Sequence, residues 1–306
     1  MDTPLNTLDN LRPPKELEER IRAHGPVLDM PFAKSLYGPL LAQQPREGIE
    51  IIRDLPYGEH ERNRLDVYRP VAPSAAPRPM ILFFHGGGFI RGDKADAENL
   101  GLYFARHGFD VLVPNYRLAP AHPWPAGAQD VVAAYRWGFA NAASHGVDPT
   151  RIFLVGSSAG AAHVAAAVLM RRFHPEGGLG IAGAALLSGV YDAHLERLAR
   201  RQFGIETPDP RNDAYFGTAV GTYAAMSTVR QVDAPPVPLL LTYGELDPIQ
   251  FQVQAGALFT TLVADHGFDC ELHVVRGHAH MTQPCSFNTG DESLSLPVLR
   301  FLQRHL

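Results

Sequence analysis

The stretch "VGSSAGAAH", residues 155–163, places two serines side by side in a turn rich in glycine. Ser158 has a glycine two residues away on either side, whereas Ser157 has a valine and an alanine at those offsets. A serine nucleophile at a sharp strand-to-helix turn needs glycines there, because neighbouring chain passes close to it. The spacing therefore predicts Ser158 as a nucleophile for acyl transfer. An ordinary turn with incidental serines is the alternative interpretation of this stretch alone.

A second glycine-rich stretch, "HGGGF" at residues 85–89, follows a run of apolar residues. Such a loop exposes backbone N–H groups, which can bind a developing oxyanion together with the N–H of the residue after the nucleophile. This predicts Gly87, Gly88 and Ala159 as oxyanion-hole donors, with His85 holding the loop. A phosphate-binding loop is the rival interpretation, but the Lys-Ser/Thr pair of such loops is missing from this stretch.

Candidate acids and bases follow later strands. "TYGELDPIQ" contains Glu245 and Asp247, and "RGHAHM" contains His278 and His280. We favour Asp247 as the acid, because a short carboxylate before a proline lies in a rigid turn; Asp192 is a weaker alternative. The order serine, acid, histidine is known for catalytic triads. Spacing alone leaves the histidine open, and no ligand set in the sequence has the spacing of a zinc site.

The elements that must position these residues alternate between strand and helix from residue 48 onward. Two strands joined by a polar turn predict an antiparallel start, and buried apolar runs such as "RPMILFF" and "RIFLVG" predict parallel strands. This pattern is typical of a mostly parallel sheet with helices on both faces, and ligands bind such sheets at the carboxyl ends of the strands. The main helices are expected at 95–107, 158–172, 249–265 and 292–304.

Two segments lie outside this alternation. Residues 1–47 are expected to form a partly helical arm that contributes to a cap over the domain at 48–306, and 192–234 an irregular insertion that completes the cap. Both are rich in aromatic residues, which are candidates for the substrate pocket, although such residues more often belong to the core. The pocket candidates, including the phenylalanine of the glycine-rich loop, are Phe32, Tyr37, Phe89, Tyr191, Tyr215 and Phe216.

The composition excludes several function classes. The chain has 306 residues, 45% of them hydrophobic and 19% charged, and a net charge of -5. We therefore expect no nucleic-acid or membrane partner, since no basic stripe or long apolar run is present. The beginning of the sequence has no signal-peptide pattern and the two cysteines make no disulfide framework, so a cytoplasmic location is expected.

The motifs resemble those of a known group of enzymes. "HGGGF" together with "YRLAPAHPWPAGAQD" (116–130) resembles the hormone-sensitive-lipase-like esterases of the α/β-hydrolase superfamily. "GSSAGAAHVA", "LSGVYD", "GELDPIQFQ" and "GHAHM…FNTGDESL" are similar to the kynurenine-formamidase-like carboxylesterases. The resemblance covers roughly residues 48–306. It implies an eight-stranded, mostly parallel sheet with a small cap.

The resemblance also implies residue roles. It assigns the nucleophile to Ser158, the acid to Asp247 and the base to His280, with His278 as a supporting neighbour. Two departures concern the turn: the residue before the nucleophile is commonly aspartate or histidine in these groups and is Ser157 here, and Ala161 follows only the formamidase-like group. Both leave the substrate branch open.

Three functions are therefore compared. The first is a serine carboxylesterase that hydrolyses small to medium hydrophobic acyl or aryl esters through an acyl-enzyme, with no cofactor. The second is an arylformamidase or amidase with the same triad. The third is a non-catalytic ligand-binding protein of this fold, which the retained triad disfavours. The sequence is compatible with a homodimer.

Overall fold

The computed structural model describes residues 11–202 and 210–306, and this part of the chain forms an eight-stranded sheet. The strand order is β1-β2-β4-β3-β5-β6-β7-β8, with β1–β2 and β2–β4 antiparallel and the other neighbours parallel. The predicted antiparallel start and parallel remainder are both confirmed. The strands are β1 (Ile49–Pro56), β2 (Arg64–Pro70), β3 (Arg78–Phe84), β4 (Asp110–Pro114), β5 (Val147–Ser157), β6 (Gly183–Leu187), β7 (Leu239–Gly244) and β8 (Cys270–Val275).

Helices cover both faces of the sheet, and alternation along each strand decides which face a side chain joins. In β3, Leu82 packs with the helices α4 (Ala126–Asn141), α5 (Ala159–Leu169) and α9 (Ile249–Thr260). Its neighbour Ile81 packs with α3 (Glu98–Arg106) and α11 (Ser295–Arg304) on the opposite face. The central strands are buried on both faces, which explains their continuous apolar sequences.

The arm and the insertion lie at the carboxyl ends of the strands. The arm contains α1 (Lys15–His24) and α2 (Met30–Leu41), and Arg22 of α1 forms a 2.8 Å ion pair with Glu245, just beyond β7. Residues 1–10 of the predicted arm and 203–209 of the predicted insertion lie outside the described residues. A further short helix, α10, follows β8. The insertion contains α6 (Ala193–Gln202), α7 (Pro210–Phe216) and α8 (Tyr223–Met226), and α10 extends over Thr282–Ser286.

The insertion is more helical than its sequence suggested. Asp192 accepts hydrogen bonds from the backbone N–H groups of His194 (2.8 Å) and Leu195 (3.1 Å), so its side chain caps α6. Ser227 donates to the same carboxylate oxygen, and Arg230 donates to the other one. The prediction of an irregular segment was wrong here, because the stretch after Asp192 combines a capping residue with good helix formers.

Candidate active site

Ser158 lies in the turn between β5 and α5 with a backbone conformation that residues other than glycine rarely adopt. Its φ is 54° and its ψ is −116°, the geometry of the first central residue of a type II′ turn, where glycine is usual. Its backbone N–H donates to Leu187 O at 2.8 Å at the end of β6. A polar side chain held in a strained turn is a common feature of functional sites.

The two glycines around Ser158 are required by the backbone that passes beside them. A Cβ atom at Gly156 would lie 2.5 Å from the carbonyl oxygen of Gly160, and a Cβ at Gly160 would lie 2.1 Å from that of Phe84 in β3. Real Cβ atoms are not found so close to backbone oxygen. The glycine spacing that singled out Ser158 in the sequence thus has a steric cause on both sides.

His280 and Asp247 complete the arrangement from two neighbouring strands. The Nε2 atom of His280, in the loop after β8, lies 2.9 Å from Ser158 Oγ. Its Nδ1 atom lies 3.6 Å from Oδ2 of Asp247, in the turn after β7. Within the described residues neither of these last two atoms has a hydrogen-bond partner. Both side chains are buried.

The other acidic candidates have different partners. Glu245 accepts a hydrogen bond from the backbone N–H of Gly277 at 2.8 Å and pairs with Arg22 at 2.8 Å. Burial raises the pKa of Glu245, but these contacts outweigh it and the pKa falls below its ordinary value. Since Asp192 caps α6 as described above, the structure brings only Asp247 of the three candidate acids next to His280.

His278 belongs to a separate buried cluster behind the site. Its Nε2 lies 2.7 Å from Ser293 Oγ and 3.2 Å from Oδ2 of Asp291, and its Nδ1 lies 3.0 Å from Thr282 Oγ1. Tyr37 of the arm donates to the same Asp291 oxygen at 2.6 Å. This cluster ties α2 to the loop that carries His280, and the supporting role expected for His278 stays a prediction.

The glycine-rich loop after β3 lies directly against Ser158. A Cβ at Gly86 would lie 3.2 Å from the Cβ of Ser158. Gly87 and Gly88 have φ values of 139° and 59°, and a Cβ at Gly87 would lie 1.9 Å from Arg91 O. Both φ values favour glycine, and at Gly87 the nearby backbone carbonyl leaves no room for a Cβ. Gly87, Gly88 and Ala159 all line the cavity that contains Ser158.

His85 holds this loop, as its sequence position suggested. Its Nδ1 lies 2.7 Å from Gly86 O, its Nε2 lies 3.2 Å from Asn115 Oδ1, and its ring stacks on Tyr116. Burial lowers the pKa of His85. Both ring nitrogens of this buried imidazole lie next to acceptor oxygens, so His85 joins the glycine-rich loop to Asn115.

The cavity above Ser158 and His280 has a volume of about 460 Å³. The arm forms one wall through residues such as Met30 and Lys34, and the insertion forms another through Glu196, Arg211 and Asn212. A second cavity of about 220 Å³ lies between α2 and α3. The two share the lining residues Lys34, Asp96 and Asn99, and Lys34 pairs with Asp96 at 3.0 Å.

Of the six aromatic pocket candidates, Phe89 lines the larger cavity. Tyr215 and Phe216 are absent from its lining in the described part of the chain. They pack behind Phe89 instead: Tyr215 stacks on it at 4.3 Å between ring centroids and Phe216 meets it edge-on at 5.4 Å. They form a layer beneath the pocket wall because their rings find apolar partners in the interior.

Phe32, Tyr37 and Tyr191 also lie away from the lining formed by the described residues. Phe32 stacks on His24 within the arm at 3.7 Å, and the hydroxyl of Tyr191 accepts a hydrogen bond from the backbone N–H of Gly189 at 3.1 Å. With the hydroxyl of Tyr37 bound to Asp291, each of the three has a structural partner. Tyr37 lines the smaller cavity, and the expectation that the three residues contact the substrate stays a prediction.

Sequence reasoning missed the charged pocket residues. Lys34, Asp96, Glu196 and Arg211 line the cavity, yet nothing in their local sequence separates them from charged residues on a solvated helix face. Gln283 was missed for the same reason. Its Nε2 donates to Asp247 Oδ1 at 2.9 Å, a contact between two segments that the sequence does not show to be neighbours.

The sheet order and the serine turn after β5 are those of an α/β-hydrolase. The chain belongs to this family: the model of the alpha/beta hydrolase fold matches residues 81–283. A bacterial heroin esterase superimposes with a TM-score of 0.75 and 26% identity, covering 95% of this chain and 98% of that one. The sequence and the structure therefore agree on the fold.

Curated relatives are also esterases. Esterase LipI of Mycobacterium tuberculosis is 39% identical over 134 residues, which is 42% of this chain and 41% of LipI. The chain thus spans less than half of the length of that relative. Ethyl acetate hydrolase of Pseudomonas putida is 26% identical over 281 residues, or 84% of both chains. No described helix is both long and apolar enough to cross a bilayer.

Proposed function

We propose that this protein is a serine carboxylesterase. The observation that carries the proposal is the 2.9 Å contact between Ser158 Oγ and His280 Nε2 on the floor of an open cavity. A serine is activated by such a base, and the glycine-rich loop beside it supplies backbone N–H groups where negative charge develops. The esterases among its relatives support the same assignment.

The reaction follows from these positions. Ser158 Oγ attacks the ester carbonyl carbon while His280 Nε2 accepts the hydroxyl proton, and the N–H groups of Gly87, Gly88 and Ala159 bind the oxyanion. His280 then gives the proton to the departing alcohol, which leaves an acyl-serine. Water attacks the acyl group with His280 again as base, and Asp247 stabilises the imidazolium in both halves.

The substrate we propose is a small to medium hydrophobic acyl or aryl ester. A cavity of about 460 Å³ with an apolar side formed by Phe89 and Met30 fits such a group. The relative named for ethyl acetate acts on a small ester. We also propose that residues 1–47 and 192–234 act together as the cap, since both contribute to the cavity wall.

A panel of p-nitrophenyl esters of increasing acyl length, with an N-formyl aryl amine included, tests the proposal. We expect ester turnover that falls at least a thousandfold in Ser158→Ala, and fluorophosphonate labelling of Ser158. Ser157→Ala is the matched control and should retain both. Unchanged turnover in Ser158→Ala, or labelling of Ser157, would contradict the assignment, and faster cleavage of the formamide would favour an amidase.

We also propose that the protein is cytoplasmic and forms a homodimer, and both stay predictions. Light scattering after gel filtration measures the mass of the particle in solution. Fractionation of the producing cells measures the location.

A further inference from the structure

The carboxylate of Asp247 needs a second partner to face His280. Its Oδ2 lies 3.6 Å from His280 Nδ1, which is longer than a hydrogen bond. That contact is therefore not what orients the carboxylate in this structure. The orientation must come from contacts to its other oxygen or to its backbone.

The other oxygen is held by Gln283 of α10. The Nε2 atom of Gln283 donates to Asp247 Oδ1 at 2.9 Å, and both residues are 2% exposed. An ionised carboxylate can only accept hydrogen bonds, so the amide must present its NH₂ group to it. The orientation of the amide is thereby fixed by chemistry.

Ser188 holds the amide from the far side. Its Oγ lies 3.0 Å from Gln283 Nε2 and 3.2 Å from Gln283 Oε1. Ser188 follows β6 and has a φ of 49°, a strained value for a residue with a side chain. The backbone turn after β6 thus directs a hydroxyl at the glutamine.

Close packing around these groups leaves the carboxylate little freedom. A Cβ atom at Gly244, the last residue of β7, would lie 2.7 Å from Asp247 Oδ1 and 2.8 Å from Gln283 Nε2. The ends of β6 and β7 therefore meet α10 at this point. Gln283 lies three residues after His280, so one segment carries both the base and the group that holds its acid.

We propose that Gln283 is a positioning residue that keeps the Asp247 carboxylate turned towards His280 during turnover, with Ser188 holding the Gln283 amide. The inference rests on the proposed esterase function. Gln283 acts through Asp247, because Gln283 is not among the described residues that line the cavity. Loss of its amide should therefore change the rate of the chemical steps and leave substrate binding unchanged.

The test uses Gln283→Met, which keeps the length of the side chain and removes the donor. We expect kcat to fall about 10- to 100-fold, the effect of leaving one buried polar group unsatisfied, with KM within twofold. The rate of fluorophosphonate labelling should fall by a similar factor. Gln129→Met, at an exposed glutamine of α4, is the matched control and should change neither.

A double-mutant cycle separates positioning from general support of the fold. In an Asp247→Ala background, Gln283→Met should cause no further loss of kcat, because the group it positions is gone. An equal loss in both backgrounds would overturn the inference, as would a folded Gln283→Met with wild-type kcat. Ser188→Ala, a smaller change, should lower kcat in the same direction, and decides the matter if Gln283→Met does not fold.

The unaltered protein distinguishes the inference from the function on which it rests. The inference alone would be rejected if the unaltered protein hydrolyses esters and is labelled at Ser158, but neither Gln283→Met nor Ser188→Ala changes these activities. Absence of both turnover and labelling in the unaltered protein would reject the esterase function and the inference with it.

Discussion

Ser158 should be destabilising where it stands, and replacing it with glycine should make the protein more stable. With φ 54° and ψ −116°, its backbone has a geometry that costs a side-chain-bearing residue about 1–3 kcal/mol. Glycine adopts it without strain. Glycine also makes the unfolded chain more flexible than alanine does, which costs about 0.4–1 kcal/mol of stability.

The comparison that isolates the backbone term is Ser158→Gly against Ser158→Ala. Both variants lose the hydroxyl and its contact with His280, and only the alanine variant keeps a Cβ. The two terms leave the glycine variant more stable by about 1 kcal/mol, or roughly 2 °C in Tm for a chain of this length. Urea unfolding measures the difference, since the two variants should share one m-value.

The neighbouring serine supplies the control. Ser157 is the last residue of β5 and has no positive φ, so glycine there should be less stable than alanine by about 0.5–1 kcal/mol. The glycine-minus-alanine difference should therefore change sign between adjacent positions. Equal signs at 157 and 158, or an alanine variant more stable at 158, would refute the argument that Ser158 is held in a strained turn.

Three further outcomes follow from the packing and the charges. Burial raises the pKa of Asp291, but hydrogen bonds from His278, Ser293 and Tyr37 outweigh it and lower the pKa to about 2. The ionised carboxylate therefore stabilises the fold above about pH 4, and the free energy of unfolding should fall by roughly 2 kcal/mol as the pH falls from about 4 to 2. The Asp291→Asn variant should show a smaller fall over that range. Gly160→Ala should lower the unfolding free energy by about 3 kcal/mol, because the added Cβ would meet Phe84 O. Gly256→Ala is the control and should not lower it, since no described atom lies within 4 Å of the added Cβ. Equal effects of the two substitutions in urea titrations would contradict the steric account. Lys34→Ala removes the exposed ion pair between the two cavities, so kcat/KM for octanoate relative to butyrate esters should rise severalfold, whereas Lys15→Ala, at an exposed lysine of α1, should leave the ratio unchanged.

The fold and the serine turn were predictable because their causes are local. Gly156 and Gly160 must be glycine since backbone atoms of the turn and of β3 pass within 2.5 Å of where a Cβ would be. That constraint appears in the sequence as a fixed spacing. The buried strands are equally local, because a strand covered on both faces is apolar at every position. Alternation of such strands with helices then predicts a parallel sheet and the edge where its ligands bind.

The pocket was not predictable in the same way, because its residues are defined by distant partners. Tyr37 is of a residue type that often lines pockets, but its hydroxyl donates a hydrogen bond to Asp291, 254 positions later in the chain. Tyr215 packs behind a phenylalanine of the glycine-rich loop, which no pattern in the insertion reveals. Aromatic content indicates that a segment packs against something, and it does not indicate which face remains open to a substrate.

The same distinction separates the proposed reacting groups from the group that positions them. Ser158 and its neighbours satisfy a backbone geometry that few sequences can adopt, so the sequence identifies them. Gln283 donates to one carboxylate oxygen of a residue 36 positions earlier, and a glutamine in a short helix has no special spacing. If the double-mutant cycle couples Gln283 to Asp247, then part of the rate of the proposed esterase reaction depends on a contact that only the folded chain creates. Substitutions at Ser188 or Gly244 should then affect turnover through the same carboxylate, although neither residue is among the described residues that line the larger cavity.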